Sequence, residues 1–353
     1  MKSCAKCKSS TLPIHSLRNG TLYYCNECLI AASRKRIRVA LLSALSPRSL
    51  DLSCRLAVAV SSQRMDMSSG WCVWYMLNKH VTYKERLGLD VEAVHVRFDV
   101  GETEAETNAG AADTVEAHRI ITLNGDVLAS VADPTGREDL RRILIHQALA
   151  QELDRGSLDC IVLGDTADAM AATAVSRAAK GQGHLLGDVG RPKNGFAYIM
   201  RDMGKDWVAA CHHAFASSSS VPTTIHGSAA SDDVCAEYAE PAVGSMIEEV
   251  DEKNLHDLAG SFAAHLLQSN PGGVSNILGT VAKLEESVAG RKACALCEEV
   301  LVEDEEENRY GVCDACTVGV FGEWRNEAQA ERTLALLPST IRDRFETGQS
   351  CPS

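Results

Sequence analysis

Two pairs of cysteines stand near each end of this 353-residue chain, and their spacing dictates more local geometry than any other feature. Cys4-Ala-Lys-Cys7 and Cys25-Asn-Glu-Cys28 are separated by seventeen residues, Cys294-Ala-Leu-Cys297 and Cys313-Asp-Ala-Cys316 by fifteen. Two residues between cysteines let a tight turn aim both sulfurs at one point. Two such turns joined by a hairpin complete a tetrahedron, with Zn–S bonds of about 2.3 Å. Two closed, four-ligand sites follow, expected to hold two structural zinc ions. Pairing within each module is the simplest arrangement, although the spacing also permits pairing between the two ends. Neither module mixes cysteine and histidine as a RING cross-brace does, which weighs against a ubiquitin ligase.

Nothing after Met1 has the pattern of a leader peptide. No apolar run reaches the roughly 18 residues that a bilayer demands. The expectation is a cytoplasmic protein with no membrane partner, whose fourteen cysteines stay reduced.

Charge is unevenly spread. Nine Lys and Arg against the single acid Glu27 give residues 1–50 a charge of +8; the whole chain carries −13, which leaves −21 on residues 51–353. A polyanion would meet the first fifty residues and be repelled elsewhere. Lys6, Lys8, Arg34, Lys35, Arg36 and Arg38 are the candidate phosphate contacts, joined by Arg191 in "GRPKNG". They would position a nucleic acid without reading its bases. "SRKRIRV" also suits a nuclear-localisation signal or a solvated helix start, but its place beside a metal ribbon favours the phosphate-contacting patch.

The middle of the chain alternates strand and helix signals. "RLAVAV" (Arg55–Val60) and "DCIVLGD" (Asp159–Asp165) are buried-strand runs, and "AVHVRFDV" (Ala93–Val100) alternates. "AHRIITL" and "DVLASVA" are weaker strand candidates. Helical periods cover Ser33–Leu45, Gly70–His80, Arg137–Leu153, a segment from Thr166 to Gly181, Lys253–Gln268 and Val274–Val288. "GRPKNG" has the composition of a helix-start turn. This order argues for βαβ units on a mostly parallel sheet. "GETEAETNAGAADT" (Gly101–Thr114) reads as a loop and residues 216–234 as a polar linker. Three units are expected: a basic ribbon and helix over 1–50, an α/β domain over 51–290, and a second ribbon with a helix over 291–353.

The turn after the first strand of that domain is decisive for chemistry. A phosphate-binding turn needs backbone N–H groups folded inward, and glycine permits it. Here Ser61-Ser62-Gln63-Arg64-Met65-Asp66-Met67-Ser68-Ser69 intervenes with no glycine until Gly70, and Asp66 would repel phosphate. His212-His213 beside Cys211 resembles a nucleophile and base, but an amphipathic segment with Trp207 favours packing.

These pieces together resemble a known family. A basic module ending "YYCNECL", then "RLAVAVSS", then "IVLGDTADAMAATAVSRAAKGQG", "GRP" and a C-terminal ribbon are similar to the cytoplasmic tRNA 2-thiolation protein 2 family. The resemblance runs from Cys4 to about Cys316. It implies a degenerate PP-loop domain, of the adenine nucleotide alpha hydrolase kind, between two zinc ribbons. Catalytic relatives carry SGGxDS where Ser61, Ser62 and Gln63 stand. They carry TGHNxDD where Leu163-Gly164-Asp165-Thr166-Ala167-Asp168-Ala169 stands, so one glycine and Asp168 remain. Their C-x2-C before an arginine-rich helix has no match in "ADPTGREDLRRILIHQAL"; Cys235 alone lies opposite a further catalytic cysteine. The resemblance implies a non-catalytic, pseudo-enzyme subunit without ATP. It would pair with a catalytic tRNA thiolase that takes sulfur from a ubiquitin-related carrier and makes 2-thiouridine at the wobble position. The other readings are an active ATP-dependent tRNA thiolase and a zinc-stabilised interaction scaffold unrelated to tRNA.

Overall fold

The computed structural model describes residues 3–9, 14–17, 21–45, 54–60, 69–79, 89–99, 119–156, 158–192, 195–216, 254–270, 272–284, 293–297, 301, 311–322 and 327–347. The acidic stretch 101–114, residues 217–234 of the polar linker, Cys235, and Ser61, Ser62 and Gln63 lie outside them.

The chain opens with an antiparallel hairpin, β1 (Ile14–Leu17) and β2 (Leu22–Cys25), that runs straight into helix α1 (Asn26–Ala44). This helix begins seven residues before the expected Ser33. The second cysteine pair forms its start, with Cys25 as N-cap.

A five-stranded parallel sheet follows, built from β3 (Arg55–Val60), β4 (Asp90–Asp99), β5 (Arg119–Asn124), β6 (Cys160–Leu163) and β7 (Phe196–Tyr198). Its order is β5-β4-β3-β6-β7. Ala57 and Val58 at its centre are fully buried, which is why "RLAVAV" shows a run rather than an alternation. Helices α2 (Ser69–Lys79), α3 (Asp126–Ala129), α4 (Pro134–Asp154) and α5 (Ala167–Ala179) lie between strands, and α6 (Lys205–Ala216) follows β7. Thr166 caps α5 by accepting from the Ala169 N–H, and Gly181 just beyond its end takes a left-handed φ of +76°. Asp133 caps α4 in the same way through the Gly136 N–H.

Beyond residue 253, α7 (Leu255–Ser269) and α8 (Gly273–Val281) pack on α5. Then come the second cysteine module with α9 (Asp314–Gly319), and α10 (Glu327–Leu336) with α11 (Ser339–Thr347).

Two local expectations are corrected. "DVLASVA" holds the short helix α3 rather than a strand: Val127 and Val131, four apart, are both buried, which is helical spacing. "GRPKNG" opens strand β7 rather than a helix; Gly190 and Gly195 take φ of +68° and +80° to turn the chain into the sheet. Among the described residues, no helix is long and apolar enough to cross a membrane.

Candidate functional site

The two cysteine modules fold alike. In each, the residue after the first cysteine donates its N–H to the carbonyl two residues before the third: Ala5 to Tyr23 at 2.7 Å, Ala295 to Gly311 at 2.8 Å. In each, the third cysteine is the N-cap of a helix, Cys25 for α1 and Cys313 for α9, and the fourth lies in its first turn. Pairing is therefore within each module. Cys4, Cys7, Cys25 and Cys28 form one set and Cys294, Cys297, Cys313 and Cys316 the other, with the four sulfurs of each within 4.8 Å of one another.

Sulfur geometry tests what such a set can hold. Four sulfurs about 2.3 Å from one ion stand about 3.8 Å apart. Cys7 and Cys25 sulfurs are 3.7 Å apart, and those of Cys297 and Cys313 are 3.8 Å. That suits one ion per set; a four-iron cube would hold its thiolates farther apart. The thiols of Cys297, Cys313 and Cys316 draw the Cys294 thiol far below its ordinary range, while contact with Cys294 drives those of Cys297 and Cys316 well above theirs. Four thiolates so close coexist only around a cation. Backbone Cys297 N–H and Cys313 N–H also point at Cys294 Sγ, at 3.5 and 3.3 Å.

A second site lies where the sheet changes direction. Strands β3 and β6 are neighbours, yet their connections leave to opposite sides, and in open parallel sheets ligands bind at the carboxyl ends of such a pair. Two glycines close this crevice. A Cβ on Gly70, in the first turn of α2, would lie 2.4 Å from the Ala59 carbonyl oxygen. One on Gly164, just after β6, would lie 2.5 Å from the Gly70 nitrogen. The α2 N-terminus is thus pressed against both strand ends. Gly70 looks incidental in sequence, and its one signal there is that it follows a strand and opens an apolar helix.

Asp168 stands at the same end, in the first turn of α5, and is 5% exposed. Its Oδ2 accepts the Lys205 N–H at 2.5 Å, so it also caps α6, while Oδ1 has no hydrogen-bond partner among the described residues. Burial pushes this carboxyl up; the Lys205 N–H opposes that and Asp206 adds to it, leaving it above the ordinary carboxylate range. Such a group can hold or pass a proton at the crevice.

The basic candidates are arranged unequally. Lys6, Lys8, Lys35 and Arg38 are exposed beside the first ribbon. Arg36 lies over the Trp207 ring, 3.9 Å from its centroid, and donates to the Asp202 carbonyl. Arg34 is half-buried on the same helix. Arg191 donates to the carbonyls of Ala282 and Leu284. Cys211 is buried with its sulfur 3.3 Å from Ser33 Oγ, and His212 stacks on Trp71.

No family model and no curated protein matches this chain. Among solved structures it resembles the U34-tRNA thiolase NcsA from Methanococcus maripaludis, described with its [4Fe-4S] cluster. The TM-score is 0.57 at 16% identity, and the match covers 90% of this chain and 96% of the other. The fold is therefore similar to that thiolase's, and in this chain it is a five-stranded parallel sheet with a four-cysteine site towards either end of the sequence. This corrects the expectation of a chain that is not an enzyme. That expectation rested on the glycine-poor turn, the altered Leu163–Ala169 motif and the missing cysteine pair, whereas nine-tenths of the chain takes an enzyme's fold.

Proposed function

We propose that this chain is a subunit of a cytoplasmic enzyme that thiolates tRNA at the wobble uridine. The observation that carries the reading is the thiolase fold over 90% of the chain. In this reading it forms a heterodimer with a catalytic thiolase subunit, which adenylates the uridine and takes sulfur from a ubiquitin-related carrier. Each four-cysteine set binds one zinc ion, which fixes the ribbon beside its helix. Asp168, whose Oδ1 has no hydrogen-bond partner among the described residues and whose proton affinity is raised, is this chain's candidate for a part in the chemistry.

Exposed Lys35 and Arg38 on α1, with Lys6 and Lys8 on the adjoining ribbon, support a tRNA-facing surface here. Phosphate contacts of this kind raise affinity for any tRNA and weaken with salt.

The test is binding and turnover with purified chain and partner. The double change Lys35→Glu and Arg38→Glu should weaken tRNA binding at least tenfold and flatten its salt dependence by about 0.7–0.9 per lost contact. Unchanged affinity and unchanged 2-thiouridine formation would defeat the proposal. Adenylation of tRNA by this chain alone, lost in Asp168→Asn, would move the whole activity onto it.

A further inference from the structure

Helix α1 turns two adjoining ridges towards β7. Lys35, Val39 and Ser43, spaced four apart, are exposed, and Val39 is 60% exposed although apolar. Arg36, Ala40 and Ala44, one position on, are half-buried. A groove of about 190 Å³ separates this side of α1 from Gly190 and Pro192, which precede β7, and from Tyr198, Ile199 and Arg201 at its far end. It stays open because its banks are short of side chain, with alanine and serine on the helix and glycine and proline opposite. Ile199, 2% exposed, gives it an apolar floor together with Ala40 and Ala44. Its rim is cationic. Arg36 lines the groove with its guanidinium carbon 3.9 Å from the Trp207 ring centroid and Nη1 donating to the Asp202 carbonyl at 3.0 Å, so its plane is fixed. Arg201 lines it too, and Lys35 stands one turn before Val39; neither has an ion pair or hydrogen bond among the described residues. Asp202 is the one acid among the described lining residues.

We infer that this groove takes one unpaired base of an RNA strand, whose flanking phosphates rest on Lys35 and Arg201. The inference rests on the thiolation reading only in making that RNA a tRNA. A narrow apolar slot between cations matches a base with a phosphate on either side: one ring to cover and two charges to meet. Single strands are bound in this way, by a positive groove that follows the backbone and a flat surface on which a base stacks, and an arginine plane serves as such a surface. The Arg36 plane is held over Trp207 before any ligand arrives, so little ordering cost remains for binding. The space admits one base, whereas a protein partner would cover about 800 Å² of this surface. Bases stacked inside a duplex cannot enter it. The phosphate contacts of α1 position any RNA, and the groove adds a preference for an unpaired nucleotide, as in a tRNA loop.

The test uses the full chain and two labelled strands of about seven nucleotides, one an RNA of mixed sequence and the other an abasic strand of the same charge. Wild type should bind the RNA about fivefold or more tightly than the abasic strand. Two uncharged changes fill the groove. Ala40→Leu raises its floor. Ser43→Leu narrows its rim at an exposed position whose Oγ bonds only the Ala40 carbonyl among the described residues, so the fold stays intact. Each should erase the preference for bases and leave abasic binding and its salt dependence as in wild type. Arg201→Gln should keep the preference and lower the salt slope by about 0.7. The inference is overturned if wild type binds both strands alike, or if the preference survives Ser43→Leu. It is equally overturned if Arg201→Gln leaves the slope unchanged. Filling that weakens binding of the catalytic thiolase and not of RNA would give the groove to a protein and overturn it too. Wobble thiolation that depends on Lys35 and Arg38, without any preference for bases, would sink this inference alone. A base-preferring groove on a chain that supports no thiolation would sink the thiolation reading alone.

Discussion

The two cysteine modules share a ligand pattern and a backbone bond between their cysteine pairs, yet they are held to the sheet domain in different ways. The first is continuous with α1. It joins the core through Leu17 and Leu29, and through a buried polar relay in which Trp207 Nε1 donates to Ser33 Oγ at 2.6 Å and Ser33 donates to the Leu29 carbonyl. The second is held by backbone contact and its own apolar cluster. Gly136 and Gly319 meet so closely that a Cβ on Gly136 would lie 1.7 Å from the Gly319 carbonyl oxygen. Leu296, Val312 and Phe321 pack with Leu140 and Leu144 of α4, and Gln147 Nε2 donates to the Leu296 carbonyl at 2.7 Å. One ribbon continues a helix; the other is a wall of its own small core. Similar ligand spacing thus gives no information about how a metal module is coupled to its surroundings.

The sharpest test of that contrast is loss of one metal at a time. Cys294→Ser should release one ion and, with it, the packing of residues 294–341, because structural zinc contributes about 10–16 kcal/mol in small modules. Cys7→Ser, at an exposed ligand, should release one ion and leave the sheet folded. Metal content and limited proteolysis read both; equal damage from the two would erase the distinction. Gly136→Val comes next. It forces backbone apart at the second ribbon and should cost about 3 kcal/mol in urea unfolding. A neutral result would mean that the ribbon is free to shift.

Trp207→Phe tests the first ribbon's attachment. It removes the bond to Ser33 and weakens the Arg36 stack, and should cost about 1–2 kcal/mol. The smallest effect is expected at Asp139, which binds Lys180 and His256 and so ties α4, which bears the second ribbon, to α5 and α7. Burial pushes its carboxyl up, but His256 and Lys180 more than offset this and leave it below its ordinary value. A depressed carboxyl stabilises the fold above the unfolded value of about 3.9, and that share is lost as the pH falls through the folded value. Asp139→Asn should lower the melting temperature by about 3 °C at pH 7. The gap from wild type should close as the pH falls below about 3.9. A gap that stays constant with pH would assign Asp139 a packing role alone.

What the sequence disclosed follows from how local each feature is. The ligand sets were legible because covalent spacing alone aims paired thiols. Strand β3 was legible because both its faces are buried, and α5 because Thr166 and Gly181 bracket it. Strand β7, three residues long, has too few positions to show a period, and α3 hid its helical spacing inside an apolar run. The crevice was the least visible. Gly70 and Gly164 matter only because they meet, and no window of sequence contains both. The departures at Ser61–Gln63 and Leu163–Ala169 and the missing cysteine pair are local, whereas the likeness to the thiolase extends over 90% of the chain.

The Trp207–Ser33 bond spans 174 positions of chain. At about 5–20 residues added per second during synthesis, α1 leaves the ribosome roughly ten to thirty seconds before its anchor exists. Through that interval the part of its core-facing side that later meets Trp207 has only the preceding hairpin for company. The first ribbon's early capture of its ion would then act as a nascent-chain safeguard, holding the helix start in shape until the later half of the protein arrives.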